Sequence, residues 1–399
     1  MLAVMLFLTQ VSTSVNTLDD YLKLDTGKPS WTAGPSNKDF AELRLNSLTW
    51  QGDQWRHEII IAGANSKSDV IILNLTGDRM GNTMDEFTAL FSKTCKLPVA
   101  TVYGIPNQPL FGLREDELVG QGFMKFFTTQ DNTWPLLLPM TKSTLLAMDA
   151  IQEWSNGRFS KFILTGTSKR GTTSWLAATT GDKRIVGIAP MVSDIMMDFT
   201  RQLEVEKAAW GHFSPMMSDF EKFNPIPFFK GPRGQLLMHM TDPFFSLANV
   251  KVPVLVISAT NDEFCVVDAV NSYWDSIQSP KIFKDLPNAS HFFAIPNALH
   301  GGYSKAQTID AMNAVRFFAD CISGKDKLGL PALSNQNDPR RSTSKPWSVE
   351  GATPWVQEST WNPHKASDRA KFAASLEEVY FKGSGYTASF TTLVTVKQN

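Results

Sequence analysis

Cysteine is scarce in this chain of 399 residues, with Cys95, Cys265 and Cys321 its three examples. Three thiols make no disulfide framework, and their spacing matches no zinc pattern. They read as buried thiols, with room for one adventitious pair among them. Histidine is sparse too: there are six, and no HExxH stretch. Nothing therefore calls for a metal or a cofactor. Charge of one sign is also lacking, since 38 Lys+Arg face 39 Asp+Glu for a net −1. With no lysine- or arginine-rich run, the chain offers no footprint for nucleic acid or acidic lipid. Long hydrophobic runs are missing as well. No segment approaches the roughly 18 uninterrupted apolar residues of a spanning helix, which argues against an integral membrane segment.

What is present is enough for a sizeable core. Hydrophobic residues make up 42% and charged residues 19%, which excludes wholesale disorder. Eleven Trp and 27 Phe are generous, and some of them are expected to line a pocket. The length suits one large domain plus an extra piece, or two domains. Residues 1–15 read MLAVMLFLTQVSTSV. A short apolar stretch followed by small and polar residues resembles a secretory signal peptide, although a positively charged start is missing. An N-terminal strand is the competing reading. Secretion is the expectation.

From Asp69 onward short apolar runs alternate with helical stretches. Strands are expected at Val70–Leu75, Leu97–Tyr103, Lys161–Leu164, Ile185–Ala189 and Val252–Ser258. Helices are expected at Asn82–Cys95, Lys142–Trp154, Thr172–Thr179, Val266–Ile277 and Lys305–Cys321. Alternation of this kind argues for an α/β fold with a mostly parallel central sheet flanked by helices. The pattern breaks at about 194–249, a stretch rich in Met, Trp, Phe and Pro. That insertion is expected over the strand ends, as an extra helical layer or as a helical lid roofing a pocket. Trp210, Phe213 and Met216 are its candidate pocket residues. The main domain is assigned to 16–325, a polar linker to 326–346, and a short β-rich C-terminal region to 347–399.

The most informative stretch is FILTGTSKRGTTSWLAA, from Phe162 to Ala178. A strand ends at Gly166, Ser168 follows, and a helix begins. A serine on such a turn is pushed out of the sheet edge, where a histidine can meet it and helix-start amides face a developing oxyanion. The strict elbow is G-x-S-x-G; here it is G-x-S-x-x-G, with Arg170 where the second glycine belongs. Alone, the stretch could equally be a serine N-cap on an ordinary helix.

Two later segments strengthen the catalytic reading. A buried strand from Val254 runs to Asn261-Asp262, and Leu286-Pro287-Asn288-Ala289-Ser290 ends at His291. The order Ser168, Asp262, His291 is that of α/β-hydrolases. Ser168 would be the nucleophile, His291 the base that takes its proton, and Asp262 the group that fixes the histidine tautomer. The backbone N–H of Lys169 would be one oxyanion donor. The other would come from the loop at Gly77-Asp78. Lys169 and Arg170 oppose the helix macrodipole, so each needs a reason. Arg170 reads as half of a structural salt bridge to a carboxylate such as Asp149 or Asp194, with contact to an oxyanion or an acidic substrate group as the alternative. The Lys169 side chain is equally open to a salt bridge and to contact with an oxyanion or an acidic substrate group. The sequons at Asn74 and Asn288 read as chance matches.

These residues resemble the PhoPQ-activated pathogenicity-related protein family, whose members include secreted proliferation repressors. The similarity runs through Thr17-Leu18-Asp19-Asp20-Tyr21, Leu73-Asn74-Leu75-Thr76-Gly77, Trp134-Pro135-Leu136-Leu137-Leu138-Pro139-Met140 and Ala147-Met148-Asp149-Ala150. It continues through Gly166-Thr167-Ser168-Lys169-Arg170-Gly171, Thr241-Asp242-Pro243, Asn261-Asp262-Glu263-Phe264 and Pro287-Asn288-Ala289-Ser290-His291. The elbow also resembles that of glucuronoyl and related carbohydrate esterases. The resemblance implies an α/β-hydrolase fold with the family's serine, acid and histidine at Ser168, Asp262 and His291. It also implies export and, for some members, growth-repressing signalling through a cell-surface receptor. The residues themselves favour a serine hydrolase for a small ester or peptide substrate. The family's β-rich ending survives in fragments such as Glu358-Ser359-Thr360-Trp361.

Overall fold

The computed structural model describes residues 15–37, 39–79, 83–195, 199–214, 217–221, 223, 226–296, 301–350, 359–364 and 373–396. The first described element is a short helix, α1 (Leu18–Leu22), begun by a capping box between Thr17 and Asp20. An antiparallel meander follows: β1 (Ser30–Ser36), β2 (Phe40–Trp50) and β3 (Asp53–Ala62). Then come β4 (Val70–Leu75), α2 (Thr83–Cys95), β5 (Val99–Val102), α3 (Glu115–Thr129) and α4 (Leu137–Trp154). The centre continues with β6 (Lys161–Thr167), α5 (Lys169–Thr179) and β7 (Ile185–Met191). The helices α6 (Phe199–Trp210), α7 (Ser218–Glu221) and α8 (Pro232–Thr241) separate β7 from β8 (Val254–Ala259). β9 (Lys281–Leu286) and α9 (Lys305–Ile322) complete the domain.

The strand order is β1-β2-β3-β5-β4-β6-β7-β8-β9, antiparallel up to β5 and parallel from there to β9. This is the α/β-hydrolase arrangement with an added edge strand. The period-2 alternation of strand side chains explains why both faces are covered. In β4, Ile71 and Leu73 enter the core beneath α4 and α5, while Val70 and Ile72 enter the core shared with α2 and α9. Every residue of β4 is buried, Asn74 included, in keeping with its otherwise apolar run. From β4 the chain winds first to β5 and then to β6 on the opposite side. The carboxyl ends beside that reversal are where such sheets bind ligands.

Beyond α9 a second sheet forms from β10 (Arg341–Val349), β11 (Asn362–Pro363), β12 (Ala374–Gly383), β13 (Tyr386–Thr391) and β14 (Thr395–Val396). It is antiparallel and docks on the last strand of the main sheet. Lys284 of β9, wholly buried, donates to Glu378 at 2.7 Å and to Ser389 at 2.5 Å, and pairs with Asp310 at 2.7 Å.

Several boundaries differ from the sequence expectation. Residues 326–346 are no free linker. Arg340 is buried and donates to Asp338, Asp326 and the Gly329 carbonyl, and β10 begins inside the expected linker. The helix expected at Val266–Ile277 is two 3-10 turns, Ala269–Ser272 and Trp274–Ser276. Its apolar residues satisfy a helical period, but the segment lies folded against the C-terminal sheet, with Asn271 donating to Val394. The apolar pattern of the sequence marks neither helix α3 nor the meander before Asp69. The meander's partly exposed strands alternate and lack the long apolar runs that mark the centre. The expected signal segment lies outside the described residues, apart from Val15. No helix among the described residues is long and apolar enough to cross a membrane.

Candidate active site

Ser168 sits between β6 and α5 with φ 55° and ψ −132°. A non-glycine residue there is strained, and the strain persists where neighbours over-determine the turn. The neighbours are glycines for a steric reason. A Cβ on Gly166 would lie 2.7 Å from Cβ of Arg170, and one on Gly171 would lie 2.5 Å from Cβ of Ser193. The departure from the strict elbow follows. Arg170 fills the space over Gly166, and the close approach to the end of β7 falls one residue later, on Gly171. The Ser168 N–H donates to the Met191 carbonyl at 3.0 Å, which ties the turn to β7.

Asp262 lies just beyond β8 in a turn closed by its own N–H on the Ala259 carbonyl, at 3.2 Å. Its Oδ1 accepts from the N–H groups of Phe264 and Cys265 at 2.7 and 2.9 Å. His291, beyond β9, places Nδ1 at 3.0 Å from Oδ1 and 2.9 Å from Oδ2 of Asp262. A carboxylate so fixed requires the proton on Nδ1 and leaves Nε2 as the acceptor. The rings of Phe264 and Phe292 pack on the imidazole at centroid distances of 4.4 and 5.3 Å. Its backbone N–H donates to Glu263 at 2.7 Å. Ser168, Lys169 and His291 line one cavity of about 110 Å³, so the structure brings the three ordered residues to one place. The Ser168 Oγ forms no hydrogen bond among the described residues. Contacts of this kind often close only on substrate.

Arg170 is indeed held by a salt bridge, but to neither expected partner. Its Nη1 and Nη2 donate to Glu115 at 2.7 and 2.8 Å, and its Nε to the Ile105 carbonyl. Asp149 instead accepts from Arg184 at 2.6 Å, and Asp194 from the Tyr273 hydroxyl at 2.7 Å. The missed helix α3 is the cause, because it carries Glu115 across the elbow. Lys169 Nζ reaches Glu115 at 2.8 Å and Asp116 at 3.0 Å while still lining the cavity. Burial alone would raise the Glu115 carboxyl. The charges of Arg170 and Lys169, with their hydrogen bonds, outweigh it and hold the group well below the usual range. The Lys169 N–H opens α5 and has no helical partner by construction. Asp78 lies in the loop after β4, its carboxylate paired with Arg114. That loop is fixed by Gly104 donating to Gly77 at 2.8 Å.

Of the expected pocket residues, Trp210 and Phe213 do not line the cavity, and Met216 lies outside the described residues. Gln202 of α6 does line it. Trp210 ends the same helix eight residues on, about 12 Å further along its axis. Phe213 packs on the main core. Met217, Met238 and Asp242 of the insertion also line it. Phe123 and Leu137, which the sequence had not singled out, form an apolar wall.

Several buried groups beside the site are shifted. Burial pushes the Asp194 carboxyl up to about 6 against the Tyr273 hydrogen bond. Burial likewise pushes Glu206 up to about 7 against the Ser214 N–H. Cys265 lines the cavity, but burial and the nearby Asp262 and Asp194 raise its thiol well above normal. A thiol so raised holds its proton and is a poor nucleophile. All three cysteines are free. No group of three His, Cys, Asp or Glu among the described residues could hold a metal ion. Of the two sequons, Asn74 is buried in β4, and the Asn288 amide is engaged by Trp361.

Comparison with known proteins places this geometry in a family. Residues 18–345 match the family model described as PhoPQ-activated pathogenicity-related protein. Autocrine proliferation repressor protein A of Dictyostelium discoideum is 27% identical over 318 residues, covering 73% of this chain. The chain spans 64% of that relative's length. Among solved structures, an acetyl xylan esterase from a Thermoanaerobacterium species superposes with a TM-score of 0.49 at 16% identity. That match covers 75% of this chain and 96% of the other. An acylaminoacyl peptidase from Pyrococcus horikoshii gives 0.45 at 13% identity, covering 75% of this chain and 42% of the other.

Proposed function

The chain belongs to the PhoPQ-activated pathogenicity-related protein family, and from that premise we propose that it is a secreted serine hydrolase acting on an ester or amide. The observation that carries the reading is the 2.9 Å contact of Asp262 with His291, a histidine that lines the same cavity as a serine held at φ 55°.

A serine hydroxyl is a weak nucleophile near neutral pH. Nε2 of His291 takes the hydroxyl proton as Oγ of Ser168 attacks the substrate carbonyl. Asp262 steadies the imidazolium through Nδ1–H. The oxyanion is received by the Lys169 N–H and by the N–H of Asp78 in the loop after β4. Removing one such donor typically costs about 3 kcal/mol in the barrier. Collapse of the intermediate expels the alcohol or amine, which leaves with the proton from His291. Water, deprotonated in turn by His291, then releases the acid from Ser168. The apolar wall of Phe123 and Leu137 and the lid residues Met217 and Met238 suit an apolar portion of the substrate. The test is labelling by a fluorophosphonate. Wild-type protein should label and Ser168→Ala should not; an unlabelled wild type sinks the proposal. Secretion rests on residues 1–15 and is tested by the amino terminus of protein recovered from medium.

A second reading is favoured by the Dictyostelium relative, whose name describes an autocrine proliferation repressor. Here the hydrolase scaffold would act as a ligand for a cell-surface receptor, since fold does not dictate function. Folded Ser168→Ala protein should then still restrain proliferation. Loss of that effect would leave catalysis as the active principle.

A further inference from the structure

The acid and the histidine stand on two separate loops, and their alignment depends on how those loops are held. The loops are stitched to each other first. Asn261 N–H donates to the Ala289 carbonyl at 2.9 Å, and Asn288 N–H donates to the Thr260 hydroxyl at 2.8 Å. That hydroxyl in turn donates to Asn261 Oδ1 at 2.8 Å, which aims the Asn261 amide outward. Both loops are then bonded to one stretch of the C-terminal unit. Asn261 Nδ2 donates to the Ser359 carbonyl at 2.6 Å. Asn288 uses both ends of its amide on one residue. Its Nδ2 donates to the Trp361 carbonyl at 2.9 Å, and its Oδ1 accepts the Trp361 N–H at 2.7 Å. The anchor is itself fixed. Trp361 is 1% exposed and packs among Val267, Val349, Ala374 and Leu376. Asn288 also adopts φ 58°, a backbone conformation that asparagine tolerates better than most residues.

We infer that the C-terminal unit is a working part of the active site, in which Asn261 and Asn288 are positioning residues that hold Asp262 and His291 in register. Asn261 precedes the acid by one residue, and Asn288 precedes the histidine by three. Pulling both toward the 359–361 stretch fixes the separation on which the Asp262–His291 contact depends. The inference rests on the hydrolase reading above.

The test uses the full chain. Asn288→Gly keeps the left-handed turn, because glycine takes positive φ freely, and removes both bonds to Trp361. Asn261→Ala removes the other tie. Fluorophosphonate labelling is followed to completion, so that the rate constant and the labelled fraction are read separately, with thermal melting alongside. Each variant should label fully at a rate about 10- to 100-fold below wild type, the scale of a misplacement of about 1 Å in a catalytic group. The double variant should be slower still. Variants that label at the wild-type rate constant, with no change or with only a reduced labelled fraction, would overturn the inference and make the asparagines merely structural. A wild type that fails to label defeats the hydrolase reading itself, and the positioning role with it.

Discussion

Replacing Glu115 by alanine tests how this elbow tolerates two cations at the start of a helix. Arg170 is 7% exposed in its side chain, and Glu115 receives both its terminal nitrogens and Lys169 Nζ, all within 2.8 Å. Breaking a buried ion pair from one side typically costs about 3–5 kcal/mol, because the remaining charge is stranded. Two features lower that figure. The Glu115 side chain is 42% exposed, so water can enter where it is removed, and Lys169 keeps Asp116 at 3.0 Å. We therefore expect a loss of about 2 kcal/mol. The backbone sharpens the expectation, since Glu115 sits at φ 48° and alanine inherits the strain without the ion pairs. The assay is denaturant melting of Glu115→Ala, Arg170→Met and the double variant, at neutral pH. The double-mutant cycle should show a coupling well above 0.5 kcal/mol, with Arg170→Met alone less harmful than Glu115→Ala. Additive effects, or a Glu115→Ala protein as stable as wild type, would refute the reasoning. Because the Glu115 carboxyl is held low, the stabilisation it contributes is present above its unfolded value. It should be lost as pH falls below about 4.

Other expectations follow from single contacts. Gly171→Ala forces a Cβ to 2.5 Å from Ser193 and should cost about 1–3 kcal/mol in melting experiments. Asp285 is fully buried with neither carboxylate oxygen hydrogen-bonded among the described residues, and burial pushes it up to about 8. The folded chain keeps a proton there that the unfolded chain releases above about 4. Stability from this group should fall as pH rises from about 4 to 8, by up to about 5 kcal/mol, and Asp285→Asn should flatten that slope. A slope identical in wild type and Asp285→Asn would contradict it. Cys265 should resist iodoacetamide at neutral pH in the native protein, because its thiol is raised well above normal. Rapid alkylation there would reopen its role.

Much of the centre was legible from sequence because fully buried parallel strands advertise themselves. Val70–Leu75 and Val252–Ser258 are mostly apolar, β-branched runs; the first is a strand with those bounds, and the second is the strand Val254–Ala259. The order of Ser168, Asp262 and His291 placed each beyond a strand for the same reason. What stayed hidden depends on contacts distant in sequence. Nothing local says that Glu115 will cross 55 residues of chain to reach Arg170. Nor does the composition of 359–361 announce that Asn261 and Asn288 will bind it. Glu263 belongs to the Asn261-Asp262-Glu263-Phe264 motif, yet its grip on the His291 N–H appears only once both loops are folded. Trp210 and Phe213 stand out by aromatic character, which reports burial and not direction. The insertion instead brings Gln202, Met217 and Met238 to the cavity.

The central claim is that Ser168 becomes a nucleophile because His291, steadied by Asp262, removes its proton. Mass spectrometry of fluorophosphonate-treated protein tests this most directly, by locating the adduct in wild type and in His291→Ala. We predict a single phosphonyl group on Ser168 in the wild type and loss of most labelling without the imidazole. An adduct on another residue, or undiminished labelling of Ser168 in His291→Ala, would contradict the account.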